Sequence, residues 1–382
     1  MRAAMAIISM GLVLGLAYRA GLAQTGTSSP SPCPTFRGAC DVPALEAVRM
    51  IALRTGWATT RGIRPDAVLY TTDGGSHWKD VTPPNSPGRW SYRITFVPPD
   101  TLWAMPYNDL GPTTTIFRTT DGGAAWKSIA VATPNAGTAA SITFINPREG
   151  WLLTGLGCAM GRCAAEVYRS TDSGETWIKI AAWEASLTEN ITFVDPSTGW
   201  ATAWDARGPS SAVGLSVTHD GGRTWRWQNL PLPSGLTPAW MYRPRAPQFF
   251  TARDGIFPVF FSLLSDASQQ KVVRMFAVVY TTHDGGTIWT PTRPVSIASR
   301  DDPYCFVDTQ HGWVSDGDTL FTTSDSGRSW MTLQPTGPFA DVKQLEFVSE
   351  QVGWALSRIS PYLLRTQNGG RAWIPVTYAI SR

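Results

Sequence analysis

One eight-residue pattern, a hydroxyl residue, any residue, Asp, any residue, Gly, two further residues and Trp, occurs seven times in the 382 residues. The copies are TTDGGSHW ending at Trp78, TTDGGAAW at Trp126, STDSGETW at Trp177, THDGGRTW at Trp225, THDGGTIW at Trp289, TSDSGRSW at Trp330 and TQNGGRAW at Trp373. Successive tryptophans lie 48, 51, 48, 64, 41 and 43 residues apart, a period that belongs to propellers and solenoids. The acidic position is filled by Asp73, Asp121, Asp172, Asp220, Asp284, Asp325 and, in the last copy, Asn368. Every position in the pattern has a job in a tight turn. The carboxylate or amide oxygen accepts backbone N–H groups, the second glycine supplies a positive φ, and the indole covers the hairpin. These seven side chains are therefore expected to be braces of a turn and not reagents.

A second element precedes each box: Gly56-Trp57, Leu102-Trp103, Gly150-Trp151, Gly199-Trp200, Gly255-Ile256, Gly312-Trp313 and Gly353-Trp354. The two elements hold thirteen of the eighteen tryptophans, so the richness in Trp follows from the repeat. Each unit reads as four short strands: an inner strand A of the ITFV type, B beginning at Gly-Trp, C ending in the box, and D beginning at the box Trp. Seven such units predict an all-β fold, a seven-bladed β-propeller of four-stranded antiparallel blades with Asp-box turns, over residues 44–382. Strand A of blade one is expected near Leu45–Leu53 and strand D of blade seven over Ile374–Ile380, closing the ring without an exchanged strand. The box turns and A–B turns then share one rim, and the B–C loops and D–A connections form the other. The longest B–C loop is expected in blade five, from Phe257 to Met275.

The boxes resemble Asp-box (BNR) repeats of bacterial sialidases, secreted glycoside hydrolases and the sortilin family. The joint pattern of Gly-Trp, an apolar-Thr strand and the box, as in GWVSDGDTLFTTSDSGRSW from Gly312 to Trp330, is most similar to the photosystem II stability/assembly factor family and its exported relatives. That resemblance covers about Leu45 to Ile380. It implies a seven-bladed propeller and a role in the assembly or stability of a membrane complex; no cofactor is expected, and with only four histidines and no zinc-type spacing no metal is expected either.

The N-terminus, MRAAMAIISMGLVLGLAYRAGLA, has an early Arg2, an apolar run and small residues before Gln24. It reads as a signal peptide over 1–23, followed by a linker over 24–43 and an exported, periplasmic or extracellular, product. The formal net charge of +3 falls to +1 once Arg2 and Arg19 leave with the signal, which gives no bulk attraction to nucleic acid. Cys33 with Cys40, and Cys158 with Cys163, have spacings suited to local disulfides in an oxidising compartment, and Cys305 is left over at a buried strand position. No stretch after the signal is long and apolar enough to span a bilayer.

Function is expected where the repeats differ, on the B–C/D–A face. The stretch WMYRPR places Trp240, Tyr242, Arg243 and Arg245 together, and Arg300 lies on the next connection. Aromatic and guanidinium groups of this kind are enriched at interface hot spots. A monomer that binds a protein or glycan partner there, without catalysis, is the main reading. The alternative is a glycoside hydrolase, sialidase-like or acting on β-glucans. It needs converging arginines with a Tyr–Glu pair, or two carboxylates across a cleft. The region RGIRPD does not match the Arg-Ile-Pro element of sialidases, and the adjacent Asp301 and Asp302 do not read as an acid/base couple.

Overall fold

The computed structural model describes residues 44–381, apart from segments at 62–65, 86–91, 98–99, 107–112, 134–137, 160–161, 186–187, 204–212, 237–240, 265–271, 299–302 and 360–362. The proposed signal peptide, the linker with Cys33 and Cys40, Trp240 and Arg300 lie outside the described residues. Every regular element among the described residues is a strand.

The strands form seven antiparallel sheets in chain order, a seven-bladed β-propeller. The inner strands are Ala44–Met50, Tyr92–Val97, Thr138–Phe144, Thr188–Phe193, Met241–Pro244 continued by Gln248–Phe249, Tyr304–Phe306 and Val342–Phe347. Blade five is broken in its inner strand at Arg245-Ala246-Pro247, because proline cannot donate to a ladder. Its outer strand is also in two pieces, Thr290–Pro291 and Val295–Ile297. Strand B is covered on both faces: all of Thr101–Pro106, Gly312–Ser315 and Gly353–Ser357 is buried, which explains its unbroken apolar character.

The Gly-Trp element has a specific packing reason. A Cβ on Gly312 would meet the Phe306 ring at 2.1 Å, and one on Gly353 would meet Phe347 at 2.6 Å. In blades three to seven the inner-strand Phe lies over the glycine of strand B, in blade one Met50 lies over Gly56, and only glycine leaves room; blade two has Leu102 at this position. The tryptophan then reaches the next blade. Trp103 stacks on Phe144, Trp151 on Phe193, and Trp313 on Phe347, with centroids 3.6, 3.8 and 3.8 Å apart. Its indole N–H donates to the box turn of the same neighbour: Trp103 to Ser173, Trp151 to Gly221, Trp313 to Gly369, and Trp354 of blade seven to Gly74 of blade one. The two repeated elements thus lace blades two, three, six and seven each to the next.

The boxes are built as turns. In the first, the Thr71 hydroxyl donates to Asp73 Oδ1 at 2.9 Å and accepts the Gly75 N–H at 3.2 Å, while Asp73 Oδ1 accepts the His77 N–H at 3.0 Å. The same pattern recurs through Asn368, whose Oδ1 accepts the Ala372 N–H at 2.9 Å. The glycine or serine after the acidic residue also has positive φ, and Ser173 and Ser326 adopt it at 70° and 65°. Box turns bond to A–B turns of their own blades, as in Gly74 N–H to Arg54 O at 2.8 Å and Gly285 N–H to Arg253 O at 2.9 Å, so these turns share a rim.

Two expectations are corrected. Strand D of blade seven ends at Val376, and Ala379–Ser381 crosses to pair in parallel with His77–Lys79 as a fifth strand of blade one. The ring is therefore closed by an exchanged C-terminal strand. Tyr378 and Ile380 are apolar enough to cover the blade-one core beside Trp78, which a terminal strand of blade seven would leave open. The Phe257–Met275 stretch is mostly a long hairpin, with strands Gly255–Leu264 and Val272–Thr282, and Phe257, Val259, Phe260 and Phe261 are buried. Its apolar residues extend the sheet instead of forming a loop.

Candidate functional site

Strand pairing defines one equivalent inner-strand position per blade, the residue opposite the B-strand Trp or its Ile256 counterpart. These residues are Arg49, Thr95, Thr143, Thr192, Gln248, Cys305 and Glu346. Blades two to four keep threonine. Blades five, six, seven and one depart from it, and the departures line a single open cleft of about 320 Å³. It runs from Pro303 and Lys343 at the start of two inner strands to Phe306 and Phe347 at their ends.

Three cations from three blades reach this cleft: Arg49, Arg245 and Lys343. Glu346 is its one lining carboxylate among the described residues. Arg49 Nη1 lies 3.1 and 3.2 Å from the two Glu346 oxygens. The Glu346 side chain is 7% exposed and that of Arg49 is 49% exposed. Burial pushes the Glu346 carboxyl up to about 7, with Arg49 acting in the opposite direction. The Arg49 guanidinium also sits 5.4 Å over the Phe96 ring of blade two. Lys343 Nζ is 3.2 Å from Glu46 Oε2, and the Gln344 amide pairs with both backbone groups of Val48, at 3.0 and 2.7 Å. Arg245 lies 5.5 Å over Phe260. Cys305 is free and buried, its sulfur takes the Phe347 N–H at 3.2 Å, and burial followed by Glu346 pushes its thiol up to about 12. A thiol so held is a poor nucleophile.

Of the residues nominated from sequence, Arg245 lines the cleft. Tyr242 is 7% exposed and packs in the core between blades four and five, where its hydroxyl accepts the Gly214 N–H at 3.2 Å. That gives its ring a packing role. Arg243 is half-buried on the same inner strand. The stretch thus points in more than one direction, as alternation along a strand requires. Arg49, Lys343 and Glu346 lie in strands, outside the loops where the sequence reading places the function. The signal lay in the inner strands: ITF in blades two, three and four becomes PQF, YCF, LEF and VRM in blades five, six, seven and one.

One Tyr–Glu contact exists in blade three, the Tyr168 hydroxyl donating to Glu166 at 2.7 Å. Both residues are buried, Lys179 also pairs with Glu166, and burial with the Glu166 contact raises the tyrosine above its ordinary value. An activated phenolate needs the opposite shift. Asp308, His311 and Glu350 form the one set among the described residues that could offer three ligands to a metal ion. The two His311 ring nitrogens already face different carboxylates, at 2.9 Å from Asp308 and 3.6 Å from Glu350. Asp308 also accepts the Gln310 and His311 N–H groups, so it is a turn residue first. No helix of the described residues is long and apolar enough to cross a membrane.

The model of the Sortilin-Vps10 family (sortilin, neurotensin receptor 3) matches residues 66–196. No curated protein matches. Among solved structures, the chain is similar to YCF48 bound to D1 peptide, at 16% identity over 85% of this chain and 91% of that one, with a TM-score of 0.54. It is also similar to YCF48 from Cyanidioschyzon merolae, at 16% identity over 85% and 96%, with a TM-score of 0.52. A third is the GH74 xyloglucanase from Xanthomonas campestris, at 10% identity over 87% of this chain and 54% of that one, with a TM-score of 0.54. YCF48 is a photosystem II assembly factor, so the resemblance read from the repeat reappears in the structure. At these identities the likeness is one of fold: the chain is a seven-bladed propeller similar to YCF48 and to the xyloglucanase.

Proposed function

We propose that this chain is an exported, non-catalytic propeller that binds a partner protein through the inner-strand cleft and the B–C and D–A segments around it, in the assembly or stability of an envelope complex. The observation that carries this reading is the convergence of Arg49, Arg245 and Lys343 from three blades on one cleft, against a single carboxylate. Such a surface suits an extended segment of partner chain with acidic or amide groups. A peptide bound to the similarly folded YCF48 is consistent with it. Two-carboxylate hydrolysis would need a second acid facing Glu346, and the described lining supplies none.

The test is affinity capture from the native envelope with the wild-type chain and with an Arg245→Gln/Lys343→Gln variant. The wild type retains a defined protein partner, and the variant loses at least about tenfold of it, as expected when two interfacial cations are removed. Equal recovery by both overturns the cleft as the binding surface. Turnover of xyloglucan or a sialoside by the purified chain overturns the non-catalytic reading.

Export carries a covalent expectation. Strand pairing sets Cys158 opposite Cys163 on the blade-three hairpin, a separation that a disulfide spans. We expect both to escape alkylation in the unfolded, unreduced chain while Cys305 is labelled. Labelling of all three rules the bridge out.

A further inference from the structure

Resting on the binding reading above, the geometry points to a more specific device: the cleft is a carboxylate site gated by a proton, in which protonation of Glu346 releases Arg49 to take an acidic side chain or chain terminus of the partner. Glu346 belongs to blade seven and Arg49 to blade one, so the pair spans the seam of the ring. Both carboxylate oxygens are held by the same nitrogen, Arg49 Nη1, and this is the hydrogen-bond partner found for the buried Glu346. A guanidinium engaged through one nitrogen keeps a second edge for a two-point contact with another carboxylate. The half-exposed Arg49 head already lines the cleft and sits 5.4 Å over the Phe96 ring.

The groups around Glu346 define the competition. Arg49 contacts it from blade one, Tyr304 and Cys305 interact with it from the inner strand of blade six, and Arg245 from the break in blade five and Lys343 from its own strand line the same cleft. Lys343 is engaged by Glu46, and Arg245 is stacked over Phe260. The thiol stays neutral beside an already elevated carboxyl. Arg49 is therefore the cation whose availability depends on Glu346. While Glu346 is ionised, a second carboxylate that takes the free edge of Arg49 shares the guanidinium with it, and the repulsion between the two like charges is a cost to binding. Once Glu346 is neutral, that cost is gone. The carboxyl's position near 7 puts the exchange within the range an envelope compartment can experience.

Binding should consume one proton. Affinity for an anionic peptide is flat below the Glu346 pKa and falls about tenfold for each pH unit above it. The probe is an N-acetylated tetraglutamate peptide labelled with tetramethylrhodamine, whose carboxylates stay ionised at both about pH 5.5 and about pH 8. Anisotropy titrations should show wild-type binding about tenfold weaker at the higher pH. Glu346→Gln binds at both values as the wild type does at the lower one. Arg49→Gln binds weakly at both. The histidines are the same in every variant, so any slope they cause survives in Glu346→Gln and is separated from the gate. Stability gives a second readout. The folded chain keeps a proton that the unfolded chain releases above about pH 4.5, so this contribution is present below that value and lost as pH rises through about 7. Glu346→Gln should remove that fall. A wild-type affinity that does not change with pH, the same slope in Glu346→Gln, or no probe binding by the folded wild type at either pH overturns the proposal. If the envelope partner is still captured through Arg245 and Lys343 in that event, the binding reading survives and the gate alone is lost.

Discussion

Trp313→Ala is expected to lower the unfolding free energy by about 3–5 kcal/mol. The side chain is 3% exposed and lies face to face with Phe347 of the next blade, at 3.8 Å and an interplanar angle of 1°. Its Nε1 donates to Gly369 O in that blade's box turn at 3.1 Å. Truncation leaves a cavity at the blade interface and takes away the partner of a buried carbonyl. The cavity cannot collapse easily, because Gly312 and Phe306 on one side and Phe347 on the other belong to rigid strands. Ile178→Ala, at a side chain 68% exposed on an outer strand, is the control and should stay within about 0.5 kcal/mol. Chemical denaturation of the two variants checks this. A loss below about 1 kcal/mol at Trp313 would mean that the stacked indole is not what couples these blades.

The second large effect is expected at the ring seam. Deleting residues 377–382 removes the parallel strand Ala379–Ser381 from the edge of blade one, the Ala379 N–H to Ser76 O bond at 3.0 Å, and the cover that Tyr378 and Ile380 give to the blade-one core. Re-exposing two partly buried side chains of that size costs roughly 2–4 kcal/mol. The ring should not open, because the Trp354 to Gly74 bond and the Gln344 pairing with Val48 still join blade seven to blade one. The expected result is a lower denaturation midpoint together with faster amide exchange concentrated in His77–Asp80. An unchanged midpoint, or exchange rising equally in all blades, would show that the crossing strand does not close the ring.

Much of this architecture was legible in the sequence because the same physical problem is solved seven times. A glycine under an aromatic ring, an indole reaching to the next blade and an acidic oxygen gathering turn amides leave residue types that cannot be exchanged freely, so the repeat marks itself. Closure was not legible. Nothing in Tyr378-Ala379-Ile380 says whether it continues blade seven or covers blade one, since a strand-forming apolar triplet suits both. The break in blade five and the hairpin at Gly255–Thr282 were read as loops for a related reason: insertions between repeats look irregular until their buried apolar residues have a surface to pack on. The cleft is legible too, but in the inner strands and not in the loops. Its residues sit inside the repeat, at the position where Thr95, Thr143 and Thr192 give way to Gln248, Cys305, Glu346 and Arg49. A charged residue in an otherwise uniform inner ring is a stronger sign than charges on loops, because its burial must be balanced by something.

Recognition is assigned to the inner face between blades five and one, and the box rim only holds the wheel together. Capturing the envelope partner in parallel with the cleft variant Arg245→Gln/Lys343→Gln and the box variant Asp220→Ala, each shown to be folded, tests this most directly. Asp220 gathers the Thr224 N–H and the Thr218 hydroxyl in its own turn, and none of the three lines the cleft. The box variant should retain the partner and the cleft variant should lose it. Loss by the folded box variant with full retention by the cleft variant would contradict this.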